Sequence, residues 1–306
     1  MNLRKLYSIL AVIVLTLFVF TSCDPIEDDP ITPSGTEIPI KANDLMGGCV
    51  NETTLVFTWT HSQKDSTWFK DYIVTIKEEG ADLFAVTDTI SKSMTQYTFN
   101  EAKEGVVYEF TIAGRNIDNK VGAKATFKWA TASQFKKNDT ESDIRVYGSA
   151  SAYGSGLELF NTAGGAPKIW KIANEANWNL GLFARDGKVL FGSASALGYT
   201  QVKNPADAEI TGLMNVDLEN LGNLVVDTSL DKFAYSKKSI DLVNDPIAKK
   251  AEKGVIFFAR TLDKKHYAKV LVLKKAGNFL QGSGDNVFVQ VYISYQKAEN
   301  VPYAKR

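Results

Sequence analysis

Apolar and polar residues alternate along several short runs of the chain, the pattern of a β-strand with one buried face. In residues 54–59 the alternation would bury Leu55, Phe57 and Trp59 and leave the threonines in solvent. Further runs, separated by turn residues, lie at 72–76, 97–99 and 105–116. No helical period occurs among them, and short, regularly spaced strands predict a β-sandwich.

A second group of alternating runs closes the chain, at residues 254–260, 266–273 and 286–296. In the last run Val287, Val289 and Val291 share one face, while Phe288 and Gln290 share the other. This pattern predicts an antiparallel meander with one buried face. One short amphipathic helix is expected at residues 246–253, so the fold class is all-β.

The segment between the two groups, residues 134–143, is polar and nearly without apolar side chains, and we interpret it as a linker. Asp139, Glu141 and Asp143 alternate there as in a calcium loop. The downstream Gly and bidentate Glu of an EF-hand are missing, however, so a solvated linker is expected. The sequence therefore predicts two domains, at residues 37–133 and 144–306.

The N-terminus carries an apolar run at residues 6–21 behind Arg4 and Lys5. A charged start, an apolar core of this length and a small residue before a cleavage point are typical of a secretory signal peptide, here residues 1–22. A transmembrane anchor is the alternative. The run is at the short end of what crosses a bilayer, and Asp24-Pro25 ends it.

The residues around the cleavage point, Phe20-Thr21-Ser22-Cys23, resemble a bacterial lipobox with Phe in place of the usual Leu. The resemblance implies lipidation of Cys23 and stable membrane anchoring through several acyl chains. Residues 23–36 are acidic and rich in proline, as expected of a disordered tether. Acidic residues directly after the cysteine also resemble the export signal of Gram-negative surface lipoproteins, which implies an outer-membrane, surface-exposed protein.

The net charge and the cysteine content limit which partners and which disulfide bonds are expected. The chain has 35 basic and 35 acidic residues, and loss of Arg4 and Lys5 with the signal peptide leaves a slightly acidic mature protein. A nucleic-acid partner is not expected, because no basic field is present. With Cys23 lipidated, Cys49 has no partner for an intrachain disulfide.

The N-terminal sandwich resembles a fibronectin type III domain of the immunoglobulin-like class. The residues that carry the resemblance are Trp59 at the end of an early strand, Tyr72 at the start of the next and the segment 108–116. The resemblance implies that Tyr108 makes a hydrogen bond at the corner where the chain enters a late strand. A domain of this kind is expected to act as a spacer.

Three aromatic residues near the turn between the second and third strands, His61, Trp68 and Phe69, are candidate binding residues of this domain. An aromatic ring at a loop tip can contact a sugar or a protein partner. A position at the end of the core is the alternative, and we expect it here. No metal site is expected, because no second histidine lies near His61.

The C-terminal domain resembles the HmuY-type haem-binding surface lipoproteins through the order of its short sequence motifs. These motifs are at residues 157–164, 177–185, the Gly/Ser-rich stretch 192–198, and the closing pair 260–270 and 287–296. The resemblance implies an antiparallel β domain that captures a nutrient such as haem, with an outer-membrane transporter as a partner.

Haem ligation is where the chain departs from that family, whose members typically hold the iron with two histidines. The domain contains one histidine, His266, and one methionine, Met214. A His/Met pair can ligate haem iron, so these two residues are the candidate haem ligands. The alternatives are a structural hairpin position for His266 and a core position for Met214.

A glycan-binding accessory lipoprotein similar to the SusE/SusF type is the competing hypothesis. Such proteins bind sugars through exposed aromatic side chains, and Trp170 and Tyr199 are the candidates in this domain. Trp178 lies in an alternating strand and is expected in the core, whereas the lysines beside Trp170 favour exposure. A structural or adhesive surface component without a small ligand is the third possibility.

Enzymatic activity is not expected from this sequence. Its two histidines are not part of a His-Glu-x-x-His motif or placed beside a cysteine nucleophile, and no nucleotide-binding glycine motif is present. Paired carboxylates for glycoside hydrolysis depend on the fold and stay open. The sequence therefore predicts a binding protein.

Overall fold

The structure is a computed structural model that describes residues 37–171, 177–199, 207–216, 224–226 and 235–302. The predicted signal peptide, the predicted lipidation site Cys23 and the tether at 23–36 lie outside the described residues. Within the described ranges, no helix has both the length and the apolar character needed to cross a membrane.

Strands β1 to β8 come first along the chain. Their bounds are Asn43–Asn51, Thr54–Thr60, Phe69–Glu78, Val86–Ser91, Gln96–Phe99, Val107–Asn116, Ala125–Ala130 and Ser133–Phe135. The four runs predicted in this region correspond to β2, β3, β5 and β6, so these predicted strands are confirmed.

Strands β9 to β20 follow them. Their bounds are Arg145–Tyr147, Gly156–Asn161, Ala166–Trp170, Leu180–Arg185, Lys188–Gly192, Glu209–Ile210, Met214–Val216, Leu224–Val226, Ser239–Asp241, Gly254–Arg260, Tyr267–Leu273 and Phe288–Gln296. One α-helix, α1, spans Pro246–Lys250, and 3₁₀ turns span Ser195–Leu197 and Gly284–Asn286. The three predicted C-terminal strands and the predicted helix are confirmed, the helix at a shorter length.

The N-terminal part is a sandwich of two antiparallel sheets, with strand orders β16-β1-β2-β5 and β4-β3-β6-β7. The alternation read from the sequence sets its core, because Leu55, Phe57 and Trp59 are all buried as predicted. The Phe57 and Phe110 rings stack between the sheets with centroids 4.3 Å apart. Residues 224–226, from the C-terminal half of the chain, extend this sandwich by pairing with β1.

The C-terminal part also has two antiparallel sheets. One has the order β11-β10-β12-β13-β17, and the other has the order β14-β18-β19-β20-β8, with β15 and β9 paired to β18 and β20. Apolar residues from both sheets, including Leu157, Leu182, Phe257 and Val291, form one buried cluster. The all-β fold class is therefore confirmed.

The meander β18-β19-β20 is buried on both faces, which corrects the prediction of one buried face. Phe258 and Tyr267 pack into the same core cluster as Cys49 and Ala132 of the N-terminal sandwich. Lys269, on this second face, is only 2% exposed. The reason is tertiary: the N-terminal sandwich covers the face that the sequence pattern left for solvent.

The segment interpreted as a linker begins inside a strand. Residues 134 and 135 belong to β8, which pairs with β20 from Ser133 opposite Tyr295 to Phe135 opposite Ile293. The rest of the segment is held by ion pairs, including the one between Arg145 and Asp143 at 3.0 Å. The segment is therefore partly a strand of the C-terminal sheet and not a free linker.

Candidate functional site

An open cleft of about 460 Å³ lies at one end of the C-terminal part and is the candidate functional site, named here the His266 cleft. Strand β10, the segment before β12, the turn between β18 and β19 and the end of β20 supply its walls. Its lining residues are Glu158, Phe160, Thr162, Asn177, Asn179, Thr261, Leu262, Asp263, His266 and Tyr295. The cleft has a size typical of a small-molecule site.

Three rings form a near-parallel series in this cleft. Phe160 and Tyr295 stack with centroids 4.9 Å apart and planes 16° apart. His266 lies against Tyr295 at 5.8 Å and 19°. Phe160 and Tyr295 come from β10 and β20, which face each other across the core, so the sandwich itself assembles the series.

The turn from Thr261 to His266 is fixed by its own hydrogen bonds. The Thr261 N–H donates to the His266 carbonyl at 3.0 Å, and the Lys264 N–H donates to the Thr261 carbonyl at 3.0 Å. Lys264 has a positive φ of 62°. The turn is thus closed on itself and presents the Asp263 and His266 side chains side by side.

Asp263 is the electrostatic centre of the turn. Burial raises the pKa of its carboxyl, but hydrogen bonds from Thr261, the Lys265 N–H and His266 outweigh this effect and lower the pKa to about 2. Its Oδ2 lies 3.0 Å from Nδ1 of His266. Asp263 is therefore a carboxylate at neutral pH, and it favours the His266 tautomer with the proton on Nδ1.

Glu158 supplies a second carboxyl group on the opposite wall. Its Oε2 accepts hydrogen bonds from Nε1 of Trp170 and from Nδ2 of Asn161, both at 2.8 Å. Within the described residues, Oε1 has no such partner. Glu158 is therefore held in place by one oxygen and can offer the other to a ligand.

Tyr295 and Asn179 contribute neutral polar groups to the cleft. Burial raises the pKa of Tyr295, and the carboxyl groups of Asp263 and Glu158 raise it further. The phenol therefore remains a neutral hydroxyl. The Asn179 Oδ1 accepts from the Leu159 N–H at 2.9 Å, which fixes the orientation of this side-chain amide.

The two haem-ligand candidates are not brought together. Met214 pairs with Ile256 in β18, whereas the His266 carbonyl accepts a hydrogen bond from Thr261, beyond the other end of β18. Ile256 and Thr261 are five positions apart along the chain, about 17 Å at ~3.4 Å per residue in a strand. Met214 also packs against the N-terminal core cluster, while His266 contacts Tyr295. A single iron atom must touch both ligand atoms, so this pair does not fit haem.

The two glycan-binding candidates do not form a common shelf. Trp170 is half-buried beside the cleft, with Lys168 Nζ 3.8 Å from its ring centroid. Tyr199 is half-buried, and its hydroxyl donates to the Leu182 carbonyl at 2.5 Å. Trp178 is 2% exposed, so the prediction that it lies in the core is confirmed. Only Trp170 is linked to the cleft, through Glu158.

The aromatic candidates of the N-terminal sandwich are buried. His61, Trp68 and Phe69 are 4%, 6% and 1% exposed, which agrees with the core position predicted for them. The Gln63 N–H donates to His61 Nδ1 at 3.2 Å, so Nε2 carries the proton and donates to the Ile40 carbonyl at 3.0 Å. Burial lowers the pKa of His61, which keeps the ring neutral. Among the described residues, no group of three or more His, Cys, Asp or Glu side chains could hold a metal ion.

Four cleft residues, Glu158, Phe160, Asp263 and Tyr295, were not among the sequence-based candidates. The sequence could have indicated Asp263, since a carboxylate three residues before a histidine in a predicted turn can reach its ring. No sequence pattern indicates Phe160 and Tyr295, because they are far apart in sequence and meet only when the two sheets face each other.

A search of curated proteins returned no match. Among solved structures, a computationally redesigned β-sandwich protein is 19% identical, over 30% of this chain and 95% of that chain, with a TM-score of 0.27. A myokine structure is 7% identical, over 30% and 97%, with a TM-score of 0.26. Domains d3–d4 of the rat CD45 extracellular region are 17% identical, over 31% and 51%, with a TM-score of 0.27.

Residues 48–127 match the family model for the fibronectin type III domain. The match begins in β1 and ends in β7. Within it, the Tyr108 hydroxyl accepts a hydrogen bond from the Lys103 N–H at 3.1 Å, which is the corner bond that the resemblance implied. Residues 48–127 are therefore a fibronectin type III domain.

Proposed function

We propose that this chain is a lipid-anchored surface protein of a Gram-negative outer membrane that binds a glycan in the His266 cleft. The lipobox-like residues before Cys23 support the anchor, and the acidic tether supports export to the outer face. The fibronectin type III domain supports a surface location and would act as a spacer. The C-terminal β domain would be the receptor.

The series of rings in the cleft is the observation that carries the glycan assignment. Phe160, Tyr295 and His266 lie in a near-parallel series, with the Glu158 and Asp263 carboxyl groups and two asparagine amides around them. A pyranose has apolar C–H faces that pack on rings and hydroxyl groups that hydrogen-bond to carboxylates and amides. Tyr295 lies between the other two rings and is 6% exposed, so the outer faces of His266 and Phe160 would pack on the sugar. The carboxyl and amide groups would bind its hydroxyls.

The charge of the cleft favours neutral or amino-bearing sugars over acidic ones. Two carboxyl groups line it, and no lysine or arginine is among its described lining residues. Lys297 Nζ lies 5.2 Å from the Phe160 ring centroid, but it is paired with Glu104 at 2.6 Å. Asp263, with its pKa lowered to about 2, would repel a uronic acid or a sialic acid. An amino sugar would gain a charge-assisted hydrogen bond instead.

Haem capture is the second candidate, and one contact favours it. Asp263 accepts from Nδ1 of His266 at 3.0 Å, an arrangement common behind metal-binding histidines because it leaves Nε2 as the ligand atom. Met214 pairs with Ile256, away from the end of β18 where His266 lies, so His266 would have to ligate alone. The carboxyl and amide lining is a poorer match for the apolar macrocycle, which is why we rank haem second.

We also propose that the protein binds its ligand and does not catalyse a reaction. The proposal includes a HmuY-like C-terminal domain and an outer-membrane transporter as the partner. The short motifs at 157–164 and 177–185 support the HmuY-like relationship, since they contribute β10, β12 and part of the cleft wall. An adhesive surface component without a small ligand would leave the cleft without a role.

The experiment is a glycan array followed by calorimetry with neutral, amino-bearing and acidic sugars. Glu158→Gln and His266→Ala are compared with Glu141→Gln, a carboxylate 85% exposed and outside the cleft. We expect the two cleft variants to lose about tenfold or more in affinity, the size of one charge-assisted hydrogen bond. Glu141→Gln should bind as the wild type does.

A haemin titration of the same variants separates the two candidates. A Soret band at stoichiometric haemin that is lost in His266→Ala, together with no glycan binding, would replace the glycan assignment by haem. Absence of both signals would contradict the small-ligand proposal and favour the adhesive alternative.

A further inference from the structure

Four large apolar side chains lie exposed at one end of the fibronectin domain. Ile38, Ile40, Ile117 and Val121 are between 45% and 59% exposed. We name this set the apolar tip. Exposed apolar residues are ordinary when scattered, but a contiguous group indicates an interaction surface.

Backbone contacts hold the two segments of the apolar tip together. The Ala123 N–H donates to the Pro39 carbonyl at 3.1 Å. A Cβ on Gly122 would lie 2.1 Å from that same carbonyl oxygen, so only glycine permits the approach. The tip is therefore a fixed surface made of the entering chain and the turn between β6 and β7.

Lysines surround the apolar tip. They are Lys41, Lys70, Lys120 and Lys124, all exposed. None of them forms an ion pair with another described residue, although Lys70 Nζ donates to the Asn119 side chain at 2.7 Å. Exposed acids at this end of the domain are Glu37, Asp44, Asp65 and Asp118, equal in number to the lysines. The surface thus has no net charge that would repel a lipid headgroup region, and its apolar centre can enter that region.

The position of the apolar tip in the fold also favours contact with a lipid surface. Strand β6 runs from the end that contacts the C-terminal part, where Glu104 pairs with Lys297 at 2.6 Å, to the tip at Asn116. The described chain enters at Glu37, whose carbonyl accepts from the Asn116 side chain at 2.7 Å. From Cys23 to Glu37 the chain spans at most about 50 Å when extended. The tip is thus the part of the fold nearest to the proposed anchor.

We propose that the apolar tip rests on the lipid surface that carries the anchor, with its isoleucine and valine side chains in the headgroup region. The inference rests on the proposed anchoring through Cys23 and extends it. The fibronectin domain would then stand on the membrane by its tip and hold the His266 cleft at the far end. The lipid chain and the docked tip together would fix the orientation of the fibronectin domain on the membrane, which a disordered tether alone would not fix.

The first test uses the chain without residues 1–23, so that acyl chains cannot contribute. The protein is sedimented with vesicles of equal parts phosphatidylcholine and phosphatidylglycerol. We expect Ile38→Glu with Ile117→Glu to lower the partition coefficient by about tenfold or more, because an anionic side chain opposes entry into the headgroup region. Leu83→Glu is the control, since Leu83 is 83% exposed in the loop between β3 and β4 at the opposite end. Absence of vesicle binding, or an equal loss in the control, would overturn the proposal.

The second test uses the full lipidated chain on the same vesicles. Cys49 is buried, so a spin label on Ile117→Cys or Leu83→Cys reports its own position. We expect the label at 117 to be shielded from aqueous relaxation agents and the label at 83 to be accessible. Equal accessibility in a lipidated chain would overturn the docked tip while leaving the anchor standing. If the chain without residues 1–23 binds vesicles but the full chain carries no lipid on Cys23, the docked tip is supported and the proposed anchor is wrong.

Discussion

The Lys103 backbone N–H donates to the hydroxyl of Tyr108, five residues further along the chain, at 3.1 Å. The ring of Tyr108 is buried and meets Phe99 edge-on at 5.1 Å. This one bond ties the loop before β6 to the core of the fibronectin domain.

Tyr108→Phe should destabilise the protein by about 1 to 3 kcal/mol, because it leaves the Lys103 N–H without its partner while the ring remains. Urea unfolding measures the change. Tyr97→Phe is the control, since its hydroxyl makes only a 3.5 Å contact with Asp88 at the surface. Equal midpoints for the two variants would show that the corner bond contributes nothing.

Asp263 should make stability depend on pH in acid. Its carboxyl has a folded-state pKa of about 2, below the value of about 3.9 for an unfolded chain. Between these values the unfolded state binds more protons, so this contribution is present above about pH 4 and is lost as the pH falls towards 2. The melting temperature of Asp263→Asn should therefore fall less steeply than that of the wild type over this range. Parallel curves would mean that the turn does not stabilise the carboxylate.

Lys269 should act in the opposite pH range. Burial lowers the pKa of its ammonium to about 8, and the nearby Cys49 opposes the shift. The unfolded value is about 10.4, so the folded state binds fewer protons between these values and stability rises with pH there. Lys269→Met should be more stable at about pH 7, by about 1 to 4 kcal/mol. Its advantage should shrink by about pH 10, as measured by urea unfolding; a constant difference would contradict the shifted pKa.

Two glycines allow the Trp178 ring to pack flat against strands β10 and β12. A Cβ added at Gly156 would lie 2.6 Å from the Trp178 ring, and one at Gly181 would lie 2.7 Å from it. Gly181→Ala should cost about 1 to 3 kcal/mol, because a closely packed core must shift to admit the methyl group. Gly212→Ala is the control, since its nearest neighbour is the flexible end of Lys237 at 3.5 Å. Near-ultraviolet circular dichroism should report the displaced indole, and an unchanged spectrum with unchanged stability would refute the packing argument.

Local patterns in the sequence were sufficient to predict β2, β3, β5, β6, β18, β19 and β20, but not the other strands. The alternation around Leu55 and Phe57 predicted both the strand and its buried face, because side chains of a strand point to opposite faces in turn. The corner bond of Tyr108 followed from a short family motif. The meander was predicted with one exposed face, since nothing near Lys269 in sequence indicates that another sandwich covers it.

The sequence by itself determined that the protein is all-β and that it contains a fibronectin type III domain. The first property follows from residue spacing and the second from a family motif. Only the tertiary structure decided that Met214 and His266 lie near opposite ends of β18, and that Phe160 and Tyr295 meet beside His266. Such contacts depend on how strands distant in the chain face each other, and the period of a strand carries no information about which sheet will cover it.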